Sequence, residues 1–232
     1  KLHDKHSKYI YVDENAQYAN EFIQTFCKHS KGQWAGKPVI LELWQKAVTS
    51  ALFGFVDKNT GLREYKQLIL IVARKNGKST FASCIGLYLL IADGEAGPEI
   101  YSAATKRDQA KIIWKEACAM VKKSPALHKK LDLRVSVIRS RFNEGYLEAL
   151  GSDSEMLDGL NVHGALIDEL HALKDKNLYD VLIDGMTARE QPLCIITSTA
   201  GTVRDNIFDL KYEACERIVN GYDDKGGYKD ET

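Results

Sequence analysis

The sequence predicts an α/β fold in which a mostly parallel central sheet is flanked by helices. Short apolar runs typical of buried strands alternate along the chain with stretches of helical periodicity, an order that favours parallel strands joined by crossover helices. The chain has 232 residues, of which 44% are hydrophobic and 28% charged. It is therefore long enough to bury a sizeable core as one large α/β domain, alone or with a small appendage.

Each predicted strand is an apolar run, and each predicted helix carries apolar residues three or four positions apart. In chain order, the strands are expected at residues 68–73, 99–104, 165–167 and 193–196, and the helices at 81–90, 106–123, 178–187 and 207–219. Residues 133–138 and 146–150 flank a polar turn at residues 143–145, an arrangement that predicts an antiparallel hairpin.

The turn after the first core strand predicts a phosphate-binding loop. Residues 68–80 read LILIVARKNGKST, so a buried strand is followed directly by a polar loop and an apolar helix. Gly77 would let the backbone approach a phosphate, Lys78 would reach the β and γ oxygens, and Ser79 would hold Mg²⁺. The usual pattern GxxxxGK(S/T) is missed by one residue, since Val72 stands where glycine is usual. The context indicates a P-loop NTPase of the RecA/ASCE-like type; the alternative is an ordinary strand-to-helix turn.

A second candidate motif lies where the strand at residues 165–167 ends in Asp168 and Glu169. This is the Walker B arrangement, in which the first acid supports Mg²⁺ and the second positions or deprotonates the attacking water. Adjacent acids favour water as the nucleophile. The alternative is that the pair begins an exposed loop or caps a helix.

The strand at residues 193–196 runs into three small hydroxyl residues, Thr197, Ser198 and Thr199. Ligands of doubly wound sheets collect at the carboxyl ends of the strands, so these side chains could sense the γ-phosphate. A plain strand-to-loop exit rich in turn-forming residues is the alternative.

The segments VARKNGKST, ALIDELH and ITSTAG, in this order and spacing, resemble the ATPase motor of the large terminase subunit of tailed bacteriophages, which packages DNA into a preformed capsid. The segment ILELWQKAVTSALFGF at residues 40–55 matches the aromatic-Gln motif with which that family contacts adenine. The resemblance spans roughly residues 35–205. It implies a P-loop ATPase core at residues 39–220, preceded by an N-terminal helical segment or appendage at 1–38 and followed by the start of a linker at 221–232.

The resemblance also implies roles for individual residues, with ATP and Mg²⁺ as cofactors. Glu169 would be the catalytic acid, assisted by Lys78 and by Arg74, while Ser79 and Asp168 would hold the metal. Thr197, Ser198 and Thr199 would couple hydrolysis to motion. The nucleotide would be bound by Trp44, Gln45, Arg74, Lys75, Asn76, Gly77, Lys78, Ser79 and Thr80. The family tolerates loss of the first loop glycine, which accounts for Val72.

The partners implied are double-stranded DNA, the portal protein and the small terminase subunit, in the cytoplasm of the infected bacterial host. A homo-oligomeric ring is a further possibility, in which an arginine of one subunit completes its neighbour's site. Arg139, Arg141 and Arg204 are candidates, although solvated surface arginines are the commoner case. Lys and Arg together number 32, as do Asp and Glu together, so any DNA contact must be local. One basic cluster could touch a phosphate backbone or simply be a solvated helix end: Lys122, Lys123, Lys129, Lys130 and Arg134.

Other classes of site are disfavoured by the sequence. The five cysteines are widely spaced and form no CxxC pair, which argues against a disulfide framework or a structural zinc site. His163 and His171 bracket the Walker B strand, but core or loop histidines are favoured over metal ligands. No apolar run is long enough to span a membrane, and the charged amino terminus has no secretion signal.

Complete large terminases also carry a metal-dependent nuclease domain, and no acidic cluster of that kind follows Gly201. We therefore expect this chain to hydrolyse ATP without cutting DNA. Two other interpretations stay open: another nucleic-acid-dependent ATPase of the RecA-like or helicase group, and a nucleotide-binding assembly module with little turnover of its own.

Overall fold

The structure is a computed structural model that describes residues 7–104, 107–151, 159–170, 177–199 and 207–223. The strands are β1 (Tyr9–Tyr11), β2 (Phe55–Asp57), β3 (Gln67–Ile71), β4 (Glu99–Ala104), β5 (Leu131–Leu133), β6 (Val137–Ser140), β7 (Tyr146–Gly151), β8 (Val162–Asp168) and β9 (Leu193–Ser198). The helices are α1 (Asp13–Phe26), α2 (Leu43–Gly54), α3 (Lys78–Ile91), α4 (Arg107–Lys123), α5 (Pro125–Lys130), α6 (Asn177–Gly185) and α7 (Ile207–Asp223), with a 3₁₀ turn at Gly32–Trp34. The predictions for His171, Arg204 and residues 224–232 lie outside the described residues.

Seven of these strands form one sheet in the order β3-β9-β8-β4-β7-β6-β5. The first five run parallel, and β6 and β5 are added antiparallel at one edge. Strands β1 and β2 make a separate antiparallel pair. The predicted α/β fold with a mostly parallel sheet is confirmed. Because β3, β9 and β8 lie side by side and run parallel, the three candidate motifs lie together at the carboxyl ends of these strands, called here the carboxyl edge of the sheet.

The antiparallel hairpin differs from its prediction in its first strand. The strand paired with β7 is β6, whereas Leu133 belongs to β5. The predicted run is interrupted because the Arg134 amide donates to the Val137 carbonyl at 2.9 Å, which closes a tight turn. Val135 in this turn is 98% exposed, so an apolar residue counted as part of a buried strand faces solvent instead.

Helices cover both faces of the sheet. On one face, side chains of α1, α3 and α4 form an apolar cluster with β4 and β8, and on the other a second cluster gathers around α6 and the start of α7. Gly86 brings α3 close to the sheet, since a Cβ there would lie 2.6 Å from Leu166 Cδ1. Within the described ranges, no helix is both long and apolar enough to cross a membrane.

The amino-terminal segment packs on this core rather than apart from it. Phe22 of α1 and Phe53 of α2 both contact the Tyr88 ring of α3, with centroids 5.4 and 4.5 Å away. The predicted boundary at residue 38 stays a prediction.

Candidate nucleotide-binding site

The loop between β3 and α3 is shaped by two residues in the left-handed region of backbone conformation. Gly77, immediately before α3, has φ +72°, which glycine adopts without the steric cost that a Cβ imposes. Lys75 has φ +67°. The Asn76 side chain donates to the Ala73 carbonyl at 3.1 Å and closes the loop on itself. The exposed loop therefore turns sharply and presents the amino terminus of α3 at the carboxyl edge of the sheet.

Lys78 and Glu169 form an ion pair across this edge. Lys78 Nζ lies 3.1 Å from Glu169 Oε1, with the side chains 8% and 38% exposed. Glu169 follows β8 with φ +55°, and its amide donates to the Thr197 carbonyl at 2.8 Å. The Thr199 hydroxyl lies 3.3 Å from Glu169 Oε2. The carboxylate is thus held by two neighbouring elements while part of it remains open to solvent.

Asp168 lies next to this pair and is held by two hydroxyl groups. Ser79 Oγ donates to Asp168 Oδ2 at 3.1 Å, and Thr197 Oγ1 donates to Asp168 Oδ1 at 2.6 Å. A serine hydroxyl beside one carboxylate suits Mg²⁺, which usually takes one or two carboxylates and completes its shell with phosphates and waters. The described residues contain no group of three or more His, Cys, Asp or Glu able to hold a metal ion, so a dedicated all-protein cage is not what this part of the chain offers.

A cavity of about 370 Å³ opens beside the loop, lined by Ile71, Val72, Ala73, Arg74 and Thr199. Arg74 is exposed at its rim. The Val72 amide donates to the Ser198 carbonyl at 3.1 Å, so the loop begins directly against the end of β9. The structure therefore brings Arg74 to the same edge as the Thr197–Thr199 segment.

Trp44 and Gln45 lie at the start of α2. The Trp44 ring meets the Phe81 ring of α3 edge-on, with centroids 5.8 Å apart. Phe81 lies one helical turn after Lys78, so Trp44 packs close to the phosphate-binding loop. Gln45 Oε1 accepts the Glu42 amide at 2.9 Å as part of a capping box. The amide of Gln45 thus has a structural task in this arrangement, and its role toward adenine stays a prediction.

Other predicted candidates lie away from the site. Arg139 is on β6 and stacks over the Tyr146 ring at 5.6 Å, while Arg141 lies 3.8 Å from Asp132. Three strand positions separate β6 from β8 in the sheet, so neither arginine completes the site within its own chain. The basic cluster of residues 122, 123, 129, 130 and 134 is exposed near the β5 edge. His163 is fully buried near the amino end of β8, away from the site, and lies 2.8 Å from Asp93, as expected of a core histidine.

One residue at the site has no counterpart among the predictions. Glu116 of α4 accepts a hydrogen bond from the Thr80 hydroxyl at 3.3 Å and from the Ser30 hydroxyl at 2.7 Å. Glu116 lies three residues after Ile113 and four before Met120, both fully buried, so it occupies the helical stripe that packs on the core. An acidic residue on an otherwise apolar, core-facing stripe is the sequence feature that could have identified Glu116 as a candidate.

Comparison with known proteins shows the family of this chain. A family described as "Terminase large subunit, ATPase domain" matches residues 43–217. The large terminase subunit of Enterobacteria phage HK97 is 30% identical over 184 residues, which cover 77% of this chain and 35% of that protein. The crystal structure of the HK97 large terminase superposes with a TM-score of 0.74 at 25% identity, covering 87% of this chain and 41% of that one.

A more distant structure shares the fold alone. The large terminase ATPase domain of Thermus phage P74-26 has a TM-score of 0.52 at 17% identity, over 72% of this chain and 68% of that one. The predicted P-loop NTPase fold is therefore confirmed. The chain spans roughly a third of the length of the curated relative that it matches. Because the family match covers most of the chain, including the loop, the Asp-Glu strand and the hydroxyl-rich strand end, the chain belongs to the terminase large-subunit ATPase-domain family of bacteriophages.

Proposed function

We propose that this chain is the ATP-hydrolysing motor domain of a DNA-packaging terminase. The observation that carries the proposal is the meeting of two pairs at one sheet edge: Lys78 with Glu169, and Ser79 with Asp168, each at 3.1 Å. A loop cation, a loop hydroxyl and two adjacent acids are the parts that nucleotide hydrolysis requires. They come from segments about ninety residues apart, so local structure alone does not explain their meeting.

The roles follow from chemistry and position. Lys78 would leave Glu169 and turn to the β and γ oxygens of ATP, where its charge offsets that of the transferring phosphoryl group. Ser79 and Asp168 would hold Mg²⁺, which neutralises phosphate charge when bound. Glu169, released from Lys78, would orient the attacking water and accept its proton.

The remaining loop residues would enclose the nucleotide. Arg74 lines the cavity beside Thr199, where a guanidinium could stabilise charge on the γ-phosphate. Thr197 contacts Asp168 and Thr199 contacts Glu169, so a movement of either acid during hydrolysis would displace the end of β9. This supports the proposed coupling role of Thr197, Ser198 and Thr199. Trp44 and Gln45 would approach the adenine from α2.

We further propose that this hydrolysis drives double-stranded DNA into a procapsid in the host cytoplasm, with the portal protein, the small terminase subunit and neighbouring copies in a ring as partners. The family membership supports this, while the arginine acting between subunits stays open. We also propose that the chain does not cut DNA. Incubation of the purified chain with supercoiled plasmid and Mg²⁺ or Mn²⁺ should leave the plasmid intact, and nicking above background would contradict the proposal.

ATP turnover by the wild type, Lys78→Ala and Glu169→Gln, with and without duplex DNA, tests the catalytic assignment. We expect both substitutions to abolish most of the phosphate release, whereas Glu21→Gln, an exposed acid on α1, should leave it unchanged. Wild-type turnover that neither site substitution alters would refute the assignment.

The same assay, repeated with single-stranded nucleic acid in place of duplex DNA, separates the alternatives. An assembly module predicts ATP binding without turnover even at high protein concentration. A helicase-like ATPase predicts stimulation by single-stranded nucleic acid in preference to duplex DNA. A packaging motor predicts the reverse preference.

A further inference from the structure

Glu116 joins three segments that are far apart in sequence. Its carboxylate accepts from Thr80, in the first turn of α3, at 3.3 Å. The Ser30 hydroxyl, in the loop after α1, lies 2.7 Å from both Glu116 oxygens. Glu116 itself is on α4 and partly buried. A single side chain therefore ties the phosphate-loop helix to the amino-terminal segment.

The amino-terminal loop that carries Ser30 is itself well anchored. Its two ends are joined by the Val39 amide, which donates to the Cys27 carbonyl at 3.0 Å, and both residues are buried. The loop leads into α2, where Trp44 packs against Phe81. The first turn of α3 is thus held at two successive residues, by an apolar contact at Phe81 and by the hydrogen bond of Thr80 to Glu116.

We propose that Glu116 is a positioning residue that fixes the first turn of α3, through Thr80 and with Ser30 as its anchor, and thereby sets the affinity for the nucleotide's phosphates. This rests on the proposed nucleotide-binding function. Thr80 directly follows the predicted metal-binding Ser79, so a rotation of this turn would displace Lys78 and Ser79 together. Among the described residues, the hydrogen bonds of Glu116 go to Thr80 and Ser30 rather than to Asp168 or Glu169.

The position of Glu116 predicts how its loss will affect kinetics. Once ATP is bound, its phosphates and Mg²⁺ would themselves hold Lys78 and Ser79 in place. The loss of Glu116 therefore falls on the cost of ordering the turn before binding, which raises KM and leaves kcat nearly unchanged. Removing a hydrogen bond to a charged group of partial exposure should weaken ATP binding about five- to tenfold.

The charge of Glu116 would act in the opposite direction, which gives a sharp test. A carboxylate near the phosphates repels them, so if only its charge mattered, Glu116→Ala and Glu116→Gln would both tighten ATP binding. Glu116→Gln keeps an oxygen acceptor for Thr80. We therefore expect Glu116→Ala to raise the Kd and KM for ATP about five- to tenfold and Glu116→Gln to stay within about twofold of the wild type.

Substitution of Ser30 provides a second, independent test of the positioning role. If Ser30 acts only by anchoring Glu116, Ser30→Ala should weaken ATP binding in the wild type but have no further effect in Glu116→Ala. Lys115→Ala, an exposed neighbour on α4, is the matched control and should change neither KM nor kcat. Additive effects of the Ser30 and Glu116 substitutions, or tighter ATP binding by both Glu116 variants, would overturn the proposal.

Hydrogen exchange of the chain without nucleotide separates this proposal from the proposed function. Glu116→Ala should speed amide exchange at residues 78–83 and around Ser30, whereas Glu116→Gln and Lys115→Ala should not. If Lys78→Ala left ATP turnover unchanged, the ATPase assignment would be refuted, but the exchange result for Glu116 would still stand. Unchanged exchange in Glu116→Ala would refute the positioning role even if the ATPase assignment holds.

Discussion

The two edges of the central sheet both carry clusters of opposite charges, but the clusters are built differently. At the carboxyl edge, Lys78 meets Glu169 in a single contact, and the acid is 38% exposed. At the amino edge, Arg63 binds Asp93 through two contacts of 2.8 and 2.9 Å, with the two side chains 3% and 5% exposed. The first pair is partly open to solvent, whereas both side chains of the second pair are buried beside a cavity of about 290 Å³.

Most members of the amino-edge cluster pair with one another, although among the described residues the buried Arg63 Nε and His163 Nδ1 have no hydrogen-bond partner. His163 lies 2.8 Å from Asp93 and 3.6 Å from Glu95, and Arg189 binds Glu95 at 2.7 Å. Arg189 also donates to the carbonyls of Ala96 and Gly97, which precede β4. This cluster ties the segments that enter β3, β4 and β9 to the start of β8. Side-chain exposure and the number of protein partners, rather than charge alone, distinguish the two edges.

The largest expected effect is a loss of catalysis at the carboxyl edge without a loss of stability. Glu169→Gln should lower kcat by a factor of about a hundred or more, since a general base contributes at least that much. The half-open ion pair with Lys78 should contribute less than about 1 kcal/mol to folding. Phosphate release and thermal melting on the same samples check this. A large fall in melting temperature would mean that the two edges do not differ as argued.

The reverse result is expected at the amino edge. Asp93→Ala leaves Arg63 and His163 buried without their partner and should cost about 3–5 kcal/mol of unfolding free energy, while ATP binding by the folded protein stays near the wild-type value. Urea unfolding and nucleotide titration measure the two quantities. Asp108→Ala, which removes an acid that is 93% exposed, is the control and should cost under about 0.5 kcal/mol. A weakened ATP affinity in Asp93→Ala would show that the edges communicate.

A smaller effect is expected where the carboxyl edge itself is buried. Thr197 is fully buried and donates to Asp168 at 2.6 Å, so Thr197→Val removes one of the two hydroxyl groups that orient the acid. We expect the Mg²⁺ concentration needed for half-maximal turnover to rise about tenfold, in the range found for groups that orient a metal ligand. Thr197→Ser keeps the hydroxyl and should need about the same Mg²⁺ concentration as the wild type. An equal Mg²⁺ requirement of the Thr197→Val and Thr197→Ser proteins would contradict this orienting role.

The smallest effect is a pH dependence confined to the amino edge. Burial by itself would raise the pKa of Asp93, but the hydrogen bond with His163 and the charge of Arg63 outweigh it and hold that pKa below its ordinary value. Because the folded-state pKa is lowered, this stabilisation is complete above the unfolded value near 3.9 and is lost as the pH falls through the folded value.

Urea unfolding as a function of pH measures this contribution. The difference in unfolding free energy between the wild type and Asp93→Asn should be constant at neutral pH and shrink below about pH 4, where Asp93 takes up a proton. Glu95 faces the same cluster and is retained in both proteins, so its titration cancels to first order. A difference that is flat down to the acid limit would contradict the lowered pKa.

Much of the fold was predictable because local patterns and tertiary structure agree. The segments that became β4, β8 and β9 are buried along nearly all of their lengths, and Gly77 marks the start of α3 because its loop needs a left-handed residue before the helix. The hairpin was harder. In the segment at residues 133–138 every second residue is apolar, as in a single strand, and only the pairing of β5 with β6 shows that a turn divides it.

The site was predictable where the motif is contiguous and hidden where it is not. Lys78, Ser79, Asp168 and Glu169 each follow or precede an apolar strand, so their place at the carboxyl edge follows from the topology of parallel strands. Glu116 lies in the middle of a helix, and its partners Thr80 and Ser30 are 36 and 86 positions away along the chain. Such contacts depend on how α3, α4 and the amino-terminal loop pack.

Local sequence patterns were enough to predict the chemistry available at the carboxyl edge: a loop cation and hydroxyl after one strand, two acids at the end of another and three hydroxyl residues at the end of a third. These are properties of short segments, where strand periodicity and turn residues fix what comes next. Which of these groups pair depends on the tertiary structure, as do the capping box of Gln45, the contacts of Glu116 with Thr80 and Ser30, and the pairing of the buried Asp93 and His163 side chains. Pairing depends on the strand order and on helix packing across the sheet, and both are set by contacts between residues that the sequence leaves far apart.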